Sequence, residues 1–143
     1  MKKTQKKLGN KGFSLVELIV VIAIMAVLVG VLAPTLIKNI EKSRESKDAQ
    51  NIEQLKSAAE VALQNESAYA SVVPDSASTT PKVLVSLTAS SCIVDSQSDF
   101  SSEFTGQMNV SNTKLTSKKY KDATVTIVVN NLGQVSVSES GVK

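Results

Sequence analysis

Between Glu17 and Lys38 stand twenty residues, LIVVIAIMAVLVGVLAPTLI, none of them charged. At about 1.5 Å of rise per residue such a run covers about 30 Å as a helix, the hydrocarbon thickness of a bilayer. Leu, Ile, Val, Ala and Met fall on every side of that helix, so it has no polar face to turn toward water and is not an amphipathic surface helix. It requires apolar surroundings all round. A cleaved secretory signal is the competing reading, and the small-residue pattern at Val31 and Ala33 speaks for it. Against it, the run is longer than a usual signal core, and the residue after Ala33 is Pro34, a poor one to present to a signal peptidase.

Five of the 16 basic residues, Lys2, Lys3, Lys6, Lys7 and Lys11, precede Gly12. From residue 13 onward there are 11 basic and 13 acidic residues, so the formal net charge of +3 describes a short tail and not a basic face for nucleic acid. A lysine-rich stretch directly before an apolar span is what holds an N-terminus on the cytoplasmic side of a membrane. The chain has no His and a single Cys, Cys92. Ser-His-Asp and Cys-His catalytic sets, histidine metal ligands, a cysteine zinc site and an internal disulfide are thereby excluded. No enzymatic activity and no cofactor are expected.

Two positions depart from a plain membrane anchor. Glu17 sits at the cytoplasmic edge of the span, four residues after Phe13, with apolar neighbours on both sides. A carboxylate there is costly unless paired, which makes it a functional candidate beside the plainer reading of an interfacial Glu that touches headgroups and water. Pro34 lacks an N–H, and its ring crowds the carbonyl of Gly30, four residues back and itself a weak helix former. The helix is expected to bend or locally unwind between Gly30 and Pro34, although a tolerated kink is common in membrane helices.

The string Gly12-Phe13-Ser14-Leu15-Val16-Glu17, after a lysine-rich leader and before an uncharged helix with a proline, resembles the type III signal sequence of type IV prepilins and pseudopilins. The resemblance covers about Lys11 to Ile40 and leaves roughly the last hundred residues without a family signature. It implies that a prepilin peptidase cuts between Gly12 and Phe13 and methylates the new Phe13 amine. It further implies that Glu17 neutralises the terminal amine of a neighbouring subunit during assembly, and that Gly30 and Pro34 mark a segment that partly melts as the filament forms. Opposite charges in a dry helix core attract strongly and each is costly alone, so the physics is compatible with that role for Glu17. The implied partners are further copies of the chain, the prepilin peptidase, the inner-membrane assembly machinery, and membrane lipid before assembly.

Residues 38–70 contain 5 basic and 6 acidic residues and neither Gly nor Pro. Pairs one turn apart, Glu41 with Arg44, Arg44 with Asp48, Glu53 with Lys56 and Lys56 with Glu60, suit a solvated helical stem. Apolar residues return at Ile52, Leu55, Ala59, Ala62 and Leu63 at spacings of three and four, which marks one buried face. The expectation is one helix from Phe13 to about Ala70, exposed between Ile40 and Ile52 and packed beyond. Ser71-Val72-Val73-Pro74-Asp75 is expected to end it.

Residues 71–143 carry 23 Ser or Thr among 73 residues. Strand-like runs stand at Val83 to Leu87, near Ile93, at Met108 to Val110, at Thr124 to Val129 and at Gln134 to Val137. The last two, joined by Asn130-Asn131-Leu132-Gly133, predict a hairpin. Asp95 to Gly106 reads as a short helix or a loop, with Phe100 and Phe104 as core plugs. A head with so few aromatics needs the Ile52–Leu63 face to complete its core.

The predicted class is therefore α+β: a leader (1–12), an apolar helix (13–37), a helical stem (38–70) and a Ser/Thr-rich head with an antiparallel sheet (71–143), a pilin-like lollipop. Many Gram-negative pilins close a C-terminal loop with two cysteines. The lone Cys92 forbids that, points toward a Gram-positive source, and is read as a small buried hydrophobe. Asn65-Glu-Ser67 and Asn109-Val-Ser111 fit the N-glycosylation pattern, which short matches do by chance. Lys118-Lys119-Tyr120-Lys121 could touch nucleic acid, but beside balancing acids it reads as a solvated loop. The functional expectation is a structural subunit of a surface filament. A pseudopilin of a type II secretion or DNA-uptake machine is the alternative within the family, and a single-span, membrane-anchored ligand-binding protein the alternative outside it.

Overall fold

The computed structural model describes residues 12–95 and 98–142. The five leader lysines lie outside them. The chain divides after Asn39 into two compact units.

In the N-terminal unit, Gly12, Phe13 and Ser14 are non-helical and α1 (Leu15–Ala62) begins at the next residue. Ile22, Met25, Leu28 and Leu32 are all more than half exposed, as are apolar side chains between them. Among the described residues α1 is the one helix long and apolar enough to cross a membrane, and none of its apolar window is buried. α1 continues through Gly30 and Pro34, so no unwound turn is present where one was expected. The proline forfeits one intrahelical hydrogen bond, and the intact turns on either side carry the helix past it.

The C-terminal unit holds α1 from Ile40 onward, α2 (Glu66–Val72), β1 (Lys82–Leu87), β2 (Cys92–Val94), α3 (Ser98–Gln107), β3 (Thr124–Val129) and β4 (Val135–Ser140). Two 3-10 turns, Val110–Asn112 and Lys118–Tyr120, lie between α3 and β3. The strands form one sheet in the order β2-β1-β3-β4, every neighbouring pair antiparallel. The fold is α+β, a helix packed on a small four-stranded antiparallel sheet.

Alternation builds the core. Val125, Ile127 and Val129 of β3 are buried while Thr124, Thr126 and Val128 between them are half-exposed, the period of two that a strand imposes. Ile52, Leu55, Ala59 and Ala62 supply the helical side of the same cluster, on the face that their spacing predicted. Phe100 and Phe104 are fully buried, with ring centroids 5.5 Å apart, so of the helix and loop readings the helix holds from Ser98 onward, where α3 plugs the core. Each such side chain contributes roughly 1.5–3 kcal/mol by leaving water.

The helix expected to reach Ala70 stops at Ala62, and α2 starts afresh at Glu66. Asn65 explains the break, because its Oδ1 accepts the Ser67 and Ala68 N–H groups at 3.0 and 3.5 Å and caps the new helix. The strand expected at Met108 to Val110 is absent: α3 runs to Gln107 and a 3-10 turn follows, with the Thr113 hydroxyl donating to the Asn109 carbonyl at 3.1 Å. The final hairpin forms as predicted. Asn130 shapes its turn, its Oδ1 accepting from Leu132 and Gln134 N–H, and Gly133 takes φ +75°, open to glycine without strain.

Candidate functional site

Phe13 is 93% exposed, and nothing lies within 4 Å of where a Gly12 side chain would start. The Gly12–Phe13 bond is thus an accessible, non-helical peptide just before α1. Glu17 lies in the first turn, where a carboxylate favours the exposed N–H groups of a helix start. Its Oε2 accepts the Ser14 N–H at 2.9 Å, while the Leu18 N–H donates to the Ser14 carbonyl at 3.2 Å. That is the Glu half of a capping box on the spacing Ser-x-x-Glu. The spacing was legible in the sequence, but the reading of Glu17 as a partner for another chain passed over it.

Gly12, Phe13 and Glu17 therefore share the start of α1. Gly30 and Pro34 lie about 20 and 25 Å further along the helix at its standard rise, and are not part of that group. Residues 7–33 match a family model described as the prokaryotic N-terminal methylation motif. The chain carries the prepilin signal of type IV pilins and pseudopilins. The prepilin signal includes Gly12, Phe13, Glu17 and Gly30, stops one residue short of Pro34, and fits membrane anchoring through the apolar part of α1. Comparison with curated proteins and with solved structures gave no match. The C-terminal unit is accordingly read from its own geometry.

A second arrangement in that unit was not foreseen. Asp48, expected on an exposed, charge-paired stretch, is fully buried. It does not pair with Arg44; its carboxylate accepts the Thr116 N–H at 2.9 and 3.0 Å, the Thr116 hydroxyl at 3.1 Å and the Ser117 N–H at 2.8 Å. Glu41, two turns earlier, accepts the Lys118 N–H and holds Arg44 at 3.6 Å, and the Asn51 amide donates to the Lys114 carbonyl at 3.5 Å. Of the expected ion pairs, Glu41–Arg44 and Lys56–Glu60 form. The signal was available: Asp48 precedes Ile52 by four residues and Leu55 by seven, which places it on the buried face. A buried carboxylate needs hydrogen bonds from every side, and the loop 113–118 supplies them.

The other motifs find structural duties. Tyr120 is buried, its hydroxyl donating to Glu139 at 3.1 Å, and Lys119 stands 4.9 Å from its ring centre. Its aromatic face is therefore not free to stack on a base. Asn65 donates its amide to Glu103 at 3.0 Å besides capping α2. Among the described residues no three His, Cys, Asp or Glu side chains gather into a group able to hold a metal ion.

Cys92 is half-buried against the core cluster, and burial pushes its thiol from 9.0 up to about 11. Thiolate is the reactive form. Labelling by iodoacetamide at pH 8 is expected to be about 100-fold slower on the folded chain than on the urea-unfolded chain, two pH units being a hundredfold in thiolate. The sign is fixed by the raised value: the folded state keeps the proton more tightly, so this contribution to stability is full below pH 9 and lost as pH climbs through about 11. Equal labelling rates in the two states would show the thiol to be open to water.

Proposed function

We propose that the chain is a structural, non-enzymatic subunit of a type IV pilus-like surface filament. In this reading the prepilin peptidase cuts between Gly12 and Phe13 and methylates the Phe13 amine. Residues 13–37 hold the subunit in the cytoplasmic membrane, N-terminus inward, and the inner-membrane assembly machinery then draws it into a filament of like copies. Removal of the leader discards all five early lysines. The observation that carries the reading is the coincidence of the prepilin signal with an apolar helix exposed on all sides, which starts two residues after the expected cut. Such a surface needs lipid before assembly and neighbouring helices after it. Melting near Gly30 and Pro34 belongs, in this proposal, to the assembled state and not to the free subunit.

Mass analysis of the mature chain tests it. The expected product begins at Phe13 and carries one added methyl group. A chain that begins at Met1 or Lys2 would favour a single-span anchored protein instead. A pseudopilin would share every feature through Ile40, and the length of assembled fibre at the cell surface separates it from a pilin.

A further inference from the structure

At the end of the C-terminal unit where α2 meets the β3–β4 turn, a shallow cavity of about 360 Å³ lies between Tyr69, Val73, Pro74, Asp75 and Asn131. Its floor is an aromatic ring held in place by a glycine. A side chain at Gly133 would begin 2.5 Å from Tyr69 Cε2 and 2.7 Å from its hydroxyl, so only a bare glycine lets the ring lie there. Tyr69 is nonetheless 40% exposed. Two bonds shape the rim: the Asn131 amide donates to the Ser76 carbonyl at 3.3 Å, and the Ser78 N–H to the Asp75 carbonyl at 2.8 Å.

The polar groups of this cavity are spare. Among the described residues the Tyr69 hydroxyl, the Asp75 carboxylate and the Asn131 side-chain oxygen have no hydrogen-bond partner, while one of the two N–H groups of the Asn131 amide is used by the loop. The site thus offers a ring face, several acceptors and two donors, the Tyr69 O–H and the second Asn131 N–H, a mixture that hydroxyl groups match because they both donate and accept. It lacks a basic residue that would hold a phosphate or carboxylate, and one carboxylate alone does not make a metal site. A complementary ligand brings an apolar face and several O–H donors, and no negative charge. We infer that this cavity is a subsite for a neutral sugar residue, whose C–H face lies on Tyr69 while its hydroxyls donate to Asp75 and Asn131. The aromatic supplies contact area at little entropic cost, and the acceptors set the orientation. This inference does not depend on whether the chain polymerises.

The test is titration of the isotopically labelled full chain, in a zwitterionic detergent free of sugar headgroups, with maltose, lactose and N,N′-diacetylchitobiose. Galacturonate serves as the acidic control. At least one neutral disaccharide is expected to give saturable shifts at the Ser76 and Asn131 amides, with a dissociation constant on the order of millimolar for so small a ligand. Tyr69→Ala is expected to weaken binding about tenfold or more, as loss of an aromatic anchor does. Asp75→Ala changes an exposed side chain with no role in packing, so it tests the site even if the Tyr69 variant folds poorly; it should weaken binding several-fold, about the effect of one hydrogen bond. Absence of saturable shifts with all three sugars, unchanged affinity in Asp75→Ala, equal binding of galacturonate, or a stronger response to an apolar tripeptide would each overturn the assignment.

Discussion

Cells that express the Glu17→Ala chain are expected to cut the leader normally yet to display at least about tenfold fewer fibres, because in the proposed filament a terminal amine would enter an apolar interior without its counter-charge. Breaking one member of a buried pair costs roughly 3–5 kcal/mol, enough to shift an assembly equilibrium by two orders of magnitude or more. The same substitution also removes the cap on Ser14, a smaller loss of about 1 kcal/mol. Glu17→Gln separates the two effects. Its amide oxygen still accepts the Ser14 N–H but carries no charge, so a fibre count restored by Gln would mean that capping alone matters. Failure of both variants, with mature Phe13 ends confirmed by mass, is the outcome expected here. Normal fibres from Glu17→Ala would place the carboxylate at the headgroups and end the pairing proposal.

Asp48→Ala is expected to destabilise the C-terminal unit by about 3–5 kcal/mol. Two backbone N–H groups lose a charged acceptor, that of Ser117 in a buried hydrogen bond and that of Thr116 in a partly buried one, and each orphaned donor costs roughly 1–3 kcal/mol. Urea unfolding followed by tyrosine fluorescence should show the drop in midpoint, with Tyr120, three residues after Ser117, as reporter. Amide exchange gives the specific signature: the Thr116 and Ser117 protons should exchange much faster in the variant, while those of Ile127 and Val129 in the sheet follow only the global loss. Asp48→Asn keeps one acceptor and is expected to fall between the two. Unchanged protection at 116 and 117 in the Ala variant would mean that the loop is held by its own turns.

What could be read in advance followed from period and composition. The apolar run was marked by length and lack of charge, while the Ile52 to Ala62 face and the β3–β4 hairpin repeat with the spacing of the element that they form, and the structure keeps all three. The misses share a cause. Asn65, Asp48 and Asn109 act by side-chain or carbonyl hydrogen bonds whose partners are fixed only by the fold, so a count of apolar positions passes over them. Glu66 and Ser67 read as a continuation of the stem because nothing there forbids helix. It was a cap, not a breaker, that divided it. At the start of α1 the prepilin motif that spans Gly12, Phe13 and Glu17 was legible in register, and the Ser-x-x-Glu spacing of the cap stood within it, overlooked because Glu17 was read toward another chain. The Tyr69 cavity left no mark in sequence, since its ring comes from α2 while its glycine and its asparagine come from the β3–β4 turn some sixty residues later.

The solitary thiol has a consequence for where this unit can live. Many extracellular domains of similar size depend on an oxidising compartment and on cross-links that isomerases must sort. With one sulfhydryl, this unit is closed by apolar packing and by amides gathered on a carboxylate. Dithiothreitol should leave its melting unaltered, and its shape is available in a reducing compartment as much as in an oxidising one.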